Sequence, residues 1–329
     1  MMRREFRIFR FLARISPVLV VAAATLGFSV TARADHPPDA QTTQSSNGIP
    51  VQMVVTAEAM HGVSPPPINR EEVMVYEGHE RDAVTGWTPT QADHSELELF
   101  VLIDDSASTS LGSQLDDIRQ FIITQAASTK VGVAYMEDGV ARIVENPTTD
   151  HDEVSKAVRL PLGIAGVNAS PYFSLGDLIK RWPASNARRE ILMVSDGIDR
   201  FWGSGPADPY VDSAIAQAQR AGILVYAIYA PGVGHYGHSF WRIWWGQNYL
   251  SQVAEETGGE SYYIGFYGPA VSYVPYLASL TQRLSNQYLL RFLAKPEKKP
   301  GLQKVKVVTE VSNAELVSAD KVYVPAETQ

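Results

Sequence analysis

The sequence predicts an α/β fold: a doubly wound, mostly parallel central sheet with helices on both faces, flanked by short N- and C-terminal β segments. Three observations predict it. Apolar runs of strand length alternate with amphipathic runs of helix length between residues 96 and 286. Those apolar runs are near-continuous Val, Ile and Leu, as strands covered on both faces require. The composition, 45% hydrophobic and 19% charged, is that of a chain with a core.

Residues 1–34 stand apart. Arg3, Arg4, Arg7, Arg10 and Arg14 precede an apolar stretch from Ile15 to Val30, and Ala32-Arg33-Ala34 closes it before Asp35. This is the layout of a secretory signal peptide, which places the protein in the periplasm or outside a bacterial cell. An uncleaved anchor is the alternative, although the stretch is shorter than the ~20 apolar residues of a span. Residues 35–48, rich in Pro, Ser, Thr and Gln, read as a flexible linker. Residues 49–95 form a small β-rich preface, with strands at Ile49–Ala57 and Glu72–Tyr76 around the Pro65-Pro66-Pro67 turn.

Within 96–286 the expected strands are 97–103, 130–136, 140–144, 190–195, 222–230 and 261–264. The expected helices are 114–127, 151–159, 174–182, 208–221, 248–257 and 271–286. In the first helix Leu115, Ile118, Phe121 and Ile122 recur at helical spacing, with Asp116, Asp117 and Arg119 opposite. Residues 287–329 return to β, with runs at 287–293, 302–311 and 319–324.

Charge and cysteine content exclude several functions. Without the six Arg and one Glu of residues 1–34, 22 basic and 35 acidic residues remain, a net charge of −13. Such a surface attracts neither nucleic acid nor anionic membrane. The chain has no cysteine, so disulfides, thiol catalysis and thiolate metal sites are all excluded.

The chemistry concentrates where strands end. Asp104-x-Ser106-x-Ser108 follows the apolar run 97–103 and offers one carboxylate and two hydroxyls at alternate positions. Oxygen donors suit a hard divalent cation, Mg²⁺ (or Mn²⁺) better than Zn²⁺. A cation held largely by neutral hydroxyls keeps enough charge to take a carboxylate from outside. Two more loops belong to the same end of the sheet: 167–173, before the helix at 174, and Ser195-Asp196-Gly197, which ends the strand 190–195.

This pattern resembles the von Willebrand factor type A (VWA) family, a Rossmann-like fold. Its metal-ion-dependent adhesion site uses Asp-x-Ser-x-Ser, then a Thr, then an Asp in a Thr/Ser-Asp-Gly turn. The resemblance implies Asp104, Ser106, Ser108 and Asp196 as metal ligands, with Ser170 where the family has Thr. The glycines that usually precede that Thr are absent. The preface (VVTAEAM and VMVYEGH), Thr257-Gly258-Gly259 and Gln287-Tyr288 are similar to the exported bacterial VWFA-related subfamily of Acidobacterial type. The function implied is capture of a protein partner's Asp or Glu on the metal. Asp105 and Asp199 read as solvated or capping neighbours.

Aromatic residues crowd the same loops: Tyr172 and Phe173, Phe201 and Trp202, then Tyr236, Phe240, Trp241, Trp244 and Trp245. They are the expected partner-binding rim, since Trp, Tyr and Arg dominate interface hot spots. Gly232-x-Gly234-x-x-Gly237 follows a strand but opens no helix in the sequence pattern, so no nucleotide is expected. His235 and His238 lack the further ligands of a zinc site. An enzyme of the haloacid-dehalogenase type needs a second carboxylate two residues after Asp104, where Ser106 stands; no enzymatic activity is expected. A structural envelope protein with a vestigial metal site is the main alternative, and a Mg²⁺-dependent phosphatase-like hydrolase a lesser one.

Overall fold

The computed structural model describes residues 48–62, 64–90, 96–163, 170–202, 205, 207–232, 239–262 and 272–326. Every described residue lies in one unit, residues 44–329. The expected signal segment, most of the linker, Tyr236, His235 and His238 lie outside the described residues.

The preface supplies β1 (Ile49–Ala59), β2 (Val73–Glu77) and β3 (Glu80–Pro89). The central region then runs β4 (Leu97–Asp104), α1 (Leu115–Ile123), β5 (Lys130–Glu137), β6 (Val140–Thr148), α2 (His151–Ala157) and α3 (Pro171–Arg181). It continues with β7 (Arg188–Ser195), α4 (Pro209–Ala221), β8 (Ile223–Tyr229), α5 (Phe240–Thr257), β9 (Ser261–Tyr262) and α6 (Val274–Ser285). The tail adds β10 (Gln287–Ala294), β11 (Gly301–Lys304), β12 (Lys306–Thr309), β13 (Ala314–Ser318) and β14 (Lys321–Val324).

The central sheet has the order β6-β5-β4-β7-β8-β9. All its neighbouring pairs are parallel except β5–β6, which is antiparallel. The fold is therefore α/β and doubly wound, with a mostly parallel sheet. Successive side chains of a strand point to opposite faces, and β4 shows this directly. Leu97, Leu99, Val101 and Ile103 pack with Ile118 and Ile122 of α1, Val154 of α2 and Leu280 of α6. Phe100 and Leu102 pack with Leu175 and Leu178 of α3, Val211 and Ile215 of α4 and Leu250 and Val253 of α5. Three helices thus cover each face, and each fully buried aliphatic contributes about 1.5–3 kcal/mol.

Chain order reverses at β4, from which β5 lies on one side and β7 on the other. A doubly wound sheet opens a crevice at the carboxyl ends of such a pair. Asp104 and Ser195, the last residues of β4 and β7, stand at that crevice.

Preface and tail meet in a second sheet, β12-β2-β3-β10-β1-β13, with antiparallel pairing. Val55, Val75, Leu290 and Phe292 form its core. Trp87 of β3 stacks on Tyr288 of β10 at 4.3 Å. A buried polar cluster ties the two sheets together: Arg188 beside Glu190 on β7, Gln287 at the start of β10, and Tyr226 on β8.

Two expectations need correction. The run 302–311 is two strands, because β11 pairs with β14 and β12 with β2 across Val305. The helix expected at 248–257 begins eight residues earlier, at Phe240. Ser239 caps it by accepting from the Arg242 N–H. The aromatic run 240–245 is helix, not loop.

Candidate metal centre

The crevice gathers three chain segments. Beyond β4 the chain turns sharply, with the Ala107 N–H donating to the Asp104 carbonyl at 3.0 Å. The Ser108 N–H then donates to the Pro231 carbonyl at 2.8 Å, and Ala107 bridges to Gly232. The loop after β8 is thereby laid against the Asp-x-Ser-x-Ser turn. Beyond β7, Gly197 takes φ +69, where a side chain is strained. Its Cα presses against α5, and a Cβ there would stand 2.2 Å from the Gly246 carbonyl oxygen. The Ser-Asp-Gly turn needs its glycine for both reasons.

Asp104 is 3% exposed and Asp196 is fully buried. Both oxygens of Asp104 are bonded: Oδ1 accepts from the Ser106 N–H (2.9 Å) and Oγ (2.7 Å), Oδ2 from the Ser195 hydroxyl (2.8 Å). Asp196 Oδ1 accepts from the Ile198 N–H at 2.9 Å. Between the two loops lies the guanidinium of Arg200. Its Nη1 donates to Ser106 Oγ at 3.3 Å and its Nη2 to Asp196 Oδ2 at 3.4 Å. Burial, then the nearby Asp104 charge, push the Asp196 carboxyl up to about 7, while Arg200 and the Ile198 N–H pull the other way. The guanidinium meets Asp196 directly and is joined to Asp104 through the Ser106 hydroxyl.

Gly232 closes one side. A Cβ at that position would lie 2.2 Å from Asp196 Oδ2 and 3.2 Å from Arg200 Nη2. Only a glycine lets the β8 loop pass so near the carboxylate.

The other two expected ligands, Ser108 and Ser170, are engaged with partners of their own. Ser108 caps a short 3₁₀ turn, and its Oγ accepts from the Ser110 N–H at 3.3 Å and Oγ at 3.0 Å. Ser170 caps α3: its Oγ accepts from the Phe173 N–H at 3.3 Å and donates to Asp199 Oδ2 at 2.8 Å. Ser106 and Asp196 therefore meet on one guanidinium, with Asp104 joined to it through the Ser106 hydroxyl, whereas Ser170 is paired with Asp199.

Asp105 and Asp199 are buried, not solvated. Burial raises the Asp105 carboxyl, but the two-pronged Arg159 contact (2.7 and 2.9 Å) and the Leu162 N–H outweigh it and hold it below the ordinary value. Asp199 Oδ1 accepts from the Phe201 N–H (2.7 Å) and the Trp202 N–H (3.2 Å), which fixes the loop that carries Arg200. Asp208, the N-cap of α4, is pushed up to about 6, first by burial and then by the charge of Asp199, against the Tyr210 N–H.

The aromatic rim needs correction at Tyr172. That ring is 1% exposed, packs edge-on to Tyr249 at 6.1 Å and donates its hydroxyl to the Gly197 carbonyl, so it belongs to the core. Trp245 is half-buried against the same core. Phe201 and Trp202 are exposed, and Phe173, half-buried, meets Phe201 and Tyr210 at 5.1 and 4.5 Å. Phe240, Trp241 and Trp244 form a second exposed group on the first turns of α5.

The arrangement fits a hard cation in part. The oxygens of Ser106 and Asp196 are hard donors already gathered at a positive group, and Asp104 is bonded to Ser106. Among the described residues no group of three or more His, Asp or Glu is placed to hold a metal ion. Hydroxyls must therefore complete any ligand set. Sequence reasoning named Ser195 and Asp199 without their partners, Asp104 and Ser170, and missed the roles of Arg159 and Arg200. Only Arg200 left a signal, a cation four residues after Asp196.

No protein-family model and no curated protein sequence matches the chain. Among solved structures it is similar to an aerotolerance-related membrane protein from Bacteroides fragilis, at 14% identity and TM-score 0.44, over 57% of this chain and 98% of that one. It is also similar to the vWF domain of the type V pili tip protein Mfa5 from Porphyromonas gingivalis, at 12% identity and TM-score 0.41, over 59% and 96%. A third is proximal thread matrix protein 1 from the mussel byssus, with a zinc-occupied MIDAS motif, at 10% identity and TM-score 0.42; the match covers 59% of this chain and 46% of that one.

Proposed function

We propose that this chain is an exported protein-binding domain of the VWA type, which captures an Asp or Glu of a protein partner with the help of a divalent cation. The observation that supports it most is the convergence of Asp104, Ser106 and Asp196 at the switch point of the sheet. Export rests on residues 1–34. No helix among the described residues is long and apolar enough to cross a membrane.

Asp104, Ser106 and Asp196 would hold Mg²⁺ or Mn²⁺, with Ser108 and Ser170 as the hydroxyl ligands that the resemblance implies. When bound, the cation supplies a Lewis-acidic position for a partner's carboxylate. The chain's own residues set the rest. Ser195 Oγ fixes the orientation of Asp104, the Ile198 N–H fixes Asp196, and the Gly197–Gly246 contact anchors the Ser-Asp-Gly turn to α5. Exposed Phe201, Trp202, Phe240, Trp241 and Trp244 would supply apolar contact around the carboxylate. No catalytic role is assigned, since Ser106 stands where a phosphoryl-transfer enzyme of this layout carries its general acid.

A structural envelope protein is the second reading, favoured by the Ser170–Asp199 pair and by the guanidinium already held between Ser106 and Asp196. Retention of the purified protein on immobilised Asp- and Glu-containing peptides, with Mg²⁺ and with EDTA, separates the two. The expected result is retention that EDTA abolishes and Asp104→Asn abolishes, with far-UV circular dichroism unchanged. Retention equal in all three conditions leaves the apolar rim alone responsible.

A further inference from the structure

We propose that Arg200 is a built-in competitor for the metal: its guanidinium holds the oxygens that a divalent cation needs, so the ion enters only as the arginine leaves. This inference rests on the metal-dependent reading above and states how that centre is regulated.

Three observations carry it. The first is identity of partners. Arg200 bridges Ser106 Oγ and Asp196 Oδ2, one oxygen from each of the two turns that supply the candidate ligands. The second is access. Asp196 Oδ1 is taken by the Ile198 N–H, and Oδ2 is hemmed in by Gly232, whose missing Cβ would stand 2.2 Å away. On the side of the Asp-x-Ser-x-Ser turn, Oδ2 is met by the guanidinium, which also holds Ser106 Oγ. The third is charge. With both carboxyls ionised, as metal binding requires, Asp104, Asp196 and the Arg200 guanidinium sum to one negative charge in a buried setting, the Arg200 side chain being only 10% exposed. A divalent cation added to that set would leave a net positive centre with two cations in contact, which low local polarity penalises heavily. With the arginine gone, the same two carboxylates balance the ion.

The exit is a side-chain motion. Asp199 accepts the backbone N–H groups of Phe201 and Trp202, so the loop on both sides of the guanidinium stem stays pinned while the side chain rotates out. Displacement returns rotamer freedom to the arginine, which partly offsets the loss of its two bonds. The long donor–acceptor distances of 3.3 and 3.4 Å suit a contact that can be exchanged. The protein then folds with Asp196 paired before any metal is met.

Two measurements test this together. In the wild-type chain, phenylglyoxal modification is mapped by mass spectrometry with EDTA and with saturating Mn²⁺. Arg200 is expected to be protected in EDTA and to react several-fold faster with Mn²⁺. By calorimetry, Arg200→Met is expected to bind Mn²⁺ about tenfold to a hundredfold more tightly than wild type, the factor by which a mostly closed state lowers apparent affinity. Equal Mn²⁺ affinity in wild type and Arg200→Met overturns the arginine's role and leaves the metal centre standing. No Mn²⁺ binding by either protein overturns both. If Arg200→Met does not fold, the wild-type labelling decides: Arg200 reactivity unchanged by Mn²⁺ overturns the inference.

Discussion

Gly197→Ala is expected to destabilise the protein by about 3 kcal/mol or more, read as a lower urea midpoint with an unchanged slope. Two penalties combine. The backbone at 197 has φ +69, where a residue with a Cβ loses roughly 1–2 kcal/mol. The new methyl also meets backbone that cannot yield, 2.2 Å from the Gly246 oxygen and 2.6 Å from Leu250 Cγ. Relief requires α5 to move off β7, which opens the packing of Leu250 and Val253 against the sheet. The contact is mutual: a Cβ on Gly246 would stand 2.5 Å from the Asp196 carbonyl oxygen. A loss below about 1 kcal/mol, the level of ordinary substitutions, would show that the turn does not press on the helix as described.

Arg188→Met is expected to cost about 3 kcal/mol, because it strands a buried carboxylate. Glu190 is fully buried on β7, with Arg188 Nη1 3.5 Å from Oε1 and Gln287 Nε2 donating to Oε2 at 3.1 Å. Arg188 also donates to the Gln287 side chain and, at 3.3 Å, to the Leu284 carbonyl, so one arginine ties β7 to the start of β10. Burial already raises the Glu190 carboxyl, and Arg188 is the strongest opposing influence. Removing it raises the folded-state value further. A carboxyl held above its unfolded value of about 4.3 binds its proton more tightly in the native state, so the loss is full at alkaline pH and shrinks on acidification toward that value. Unfolding in urea at alkaline and at mildly acidic pH measures the difference. Adding Glu190→Gln should recover most of the lost stability, since it removes the stranded charge. A pH-independent loss that Glu190→Gln leaves unchanged would assign the effect to packing alone.

What could be read from the sequence follows from where the physical signal is local. Strands such as Leu97–Ile103 and Ile191–Val194 are buried on both faces, so their apolar runs announce a covered parallel sheet. The first helix was equally legible, because Leu115, Ile118 and Ile122 fall on one face. The start of α5 was not, because Phe240, Trp241 and Trp244 face solvent and remove the polar side that marks an amphipathic helix. β3 lacks a strongly apolar face, with half-buried residues along most of its length and a register shift opposite Arg291–Phe292, so it gave little alternation to read. In the centre, Asp104, Ser106 and Asp196 could be placed at strand ends from order alone. Ser170 and Asp199 could not be paired, since their contact depends on how α3 meets the loop after β7. Tyr172 shows the same limit: an aromatic beside a site is core or surface according to the helix face it occupies, and its hydroxyl turns inward to Gly197.

Electron paramagnetic resonance of Mn²⁺ titrated into the purified protein counts occupied sites directly, because the bound ion loses its sharp free-ion signal. The expected result is one bound ion per chain, tighter in Arg200→Met and lost in both Asp104→Asn and Asp196→Asn. Binding that survives both aspartate substitutions, or its absence from wild type and Arg200→Met alike, contradicts a metal centre at the ends of β4 and β7.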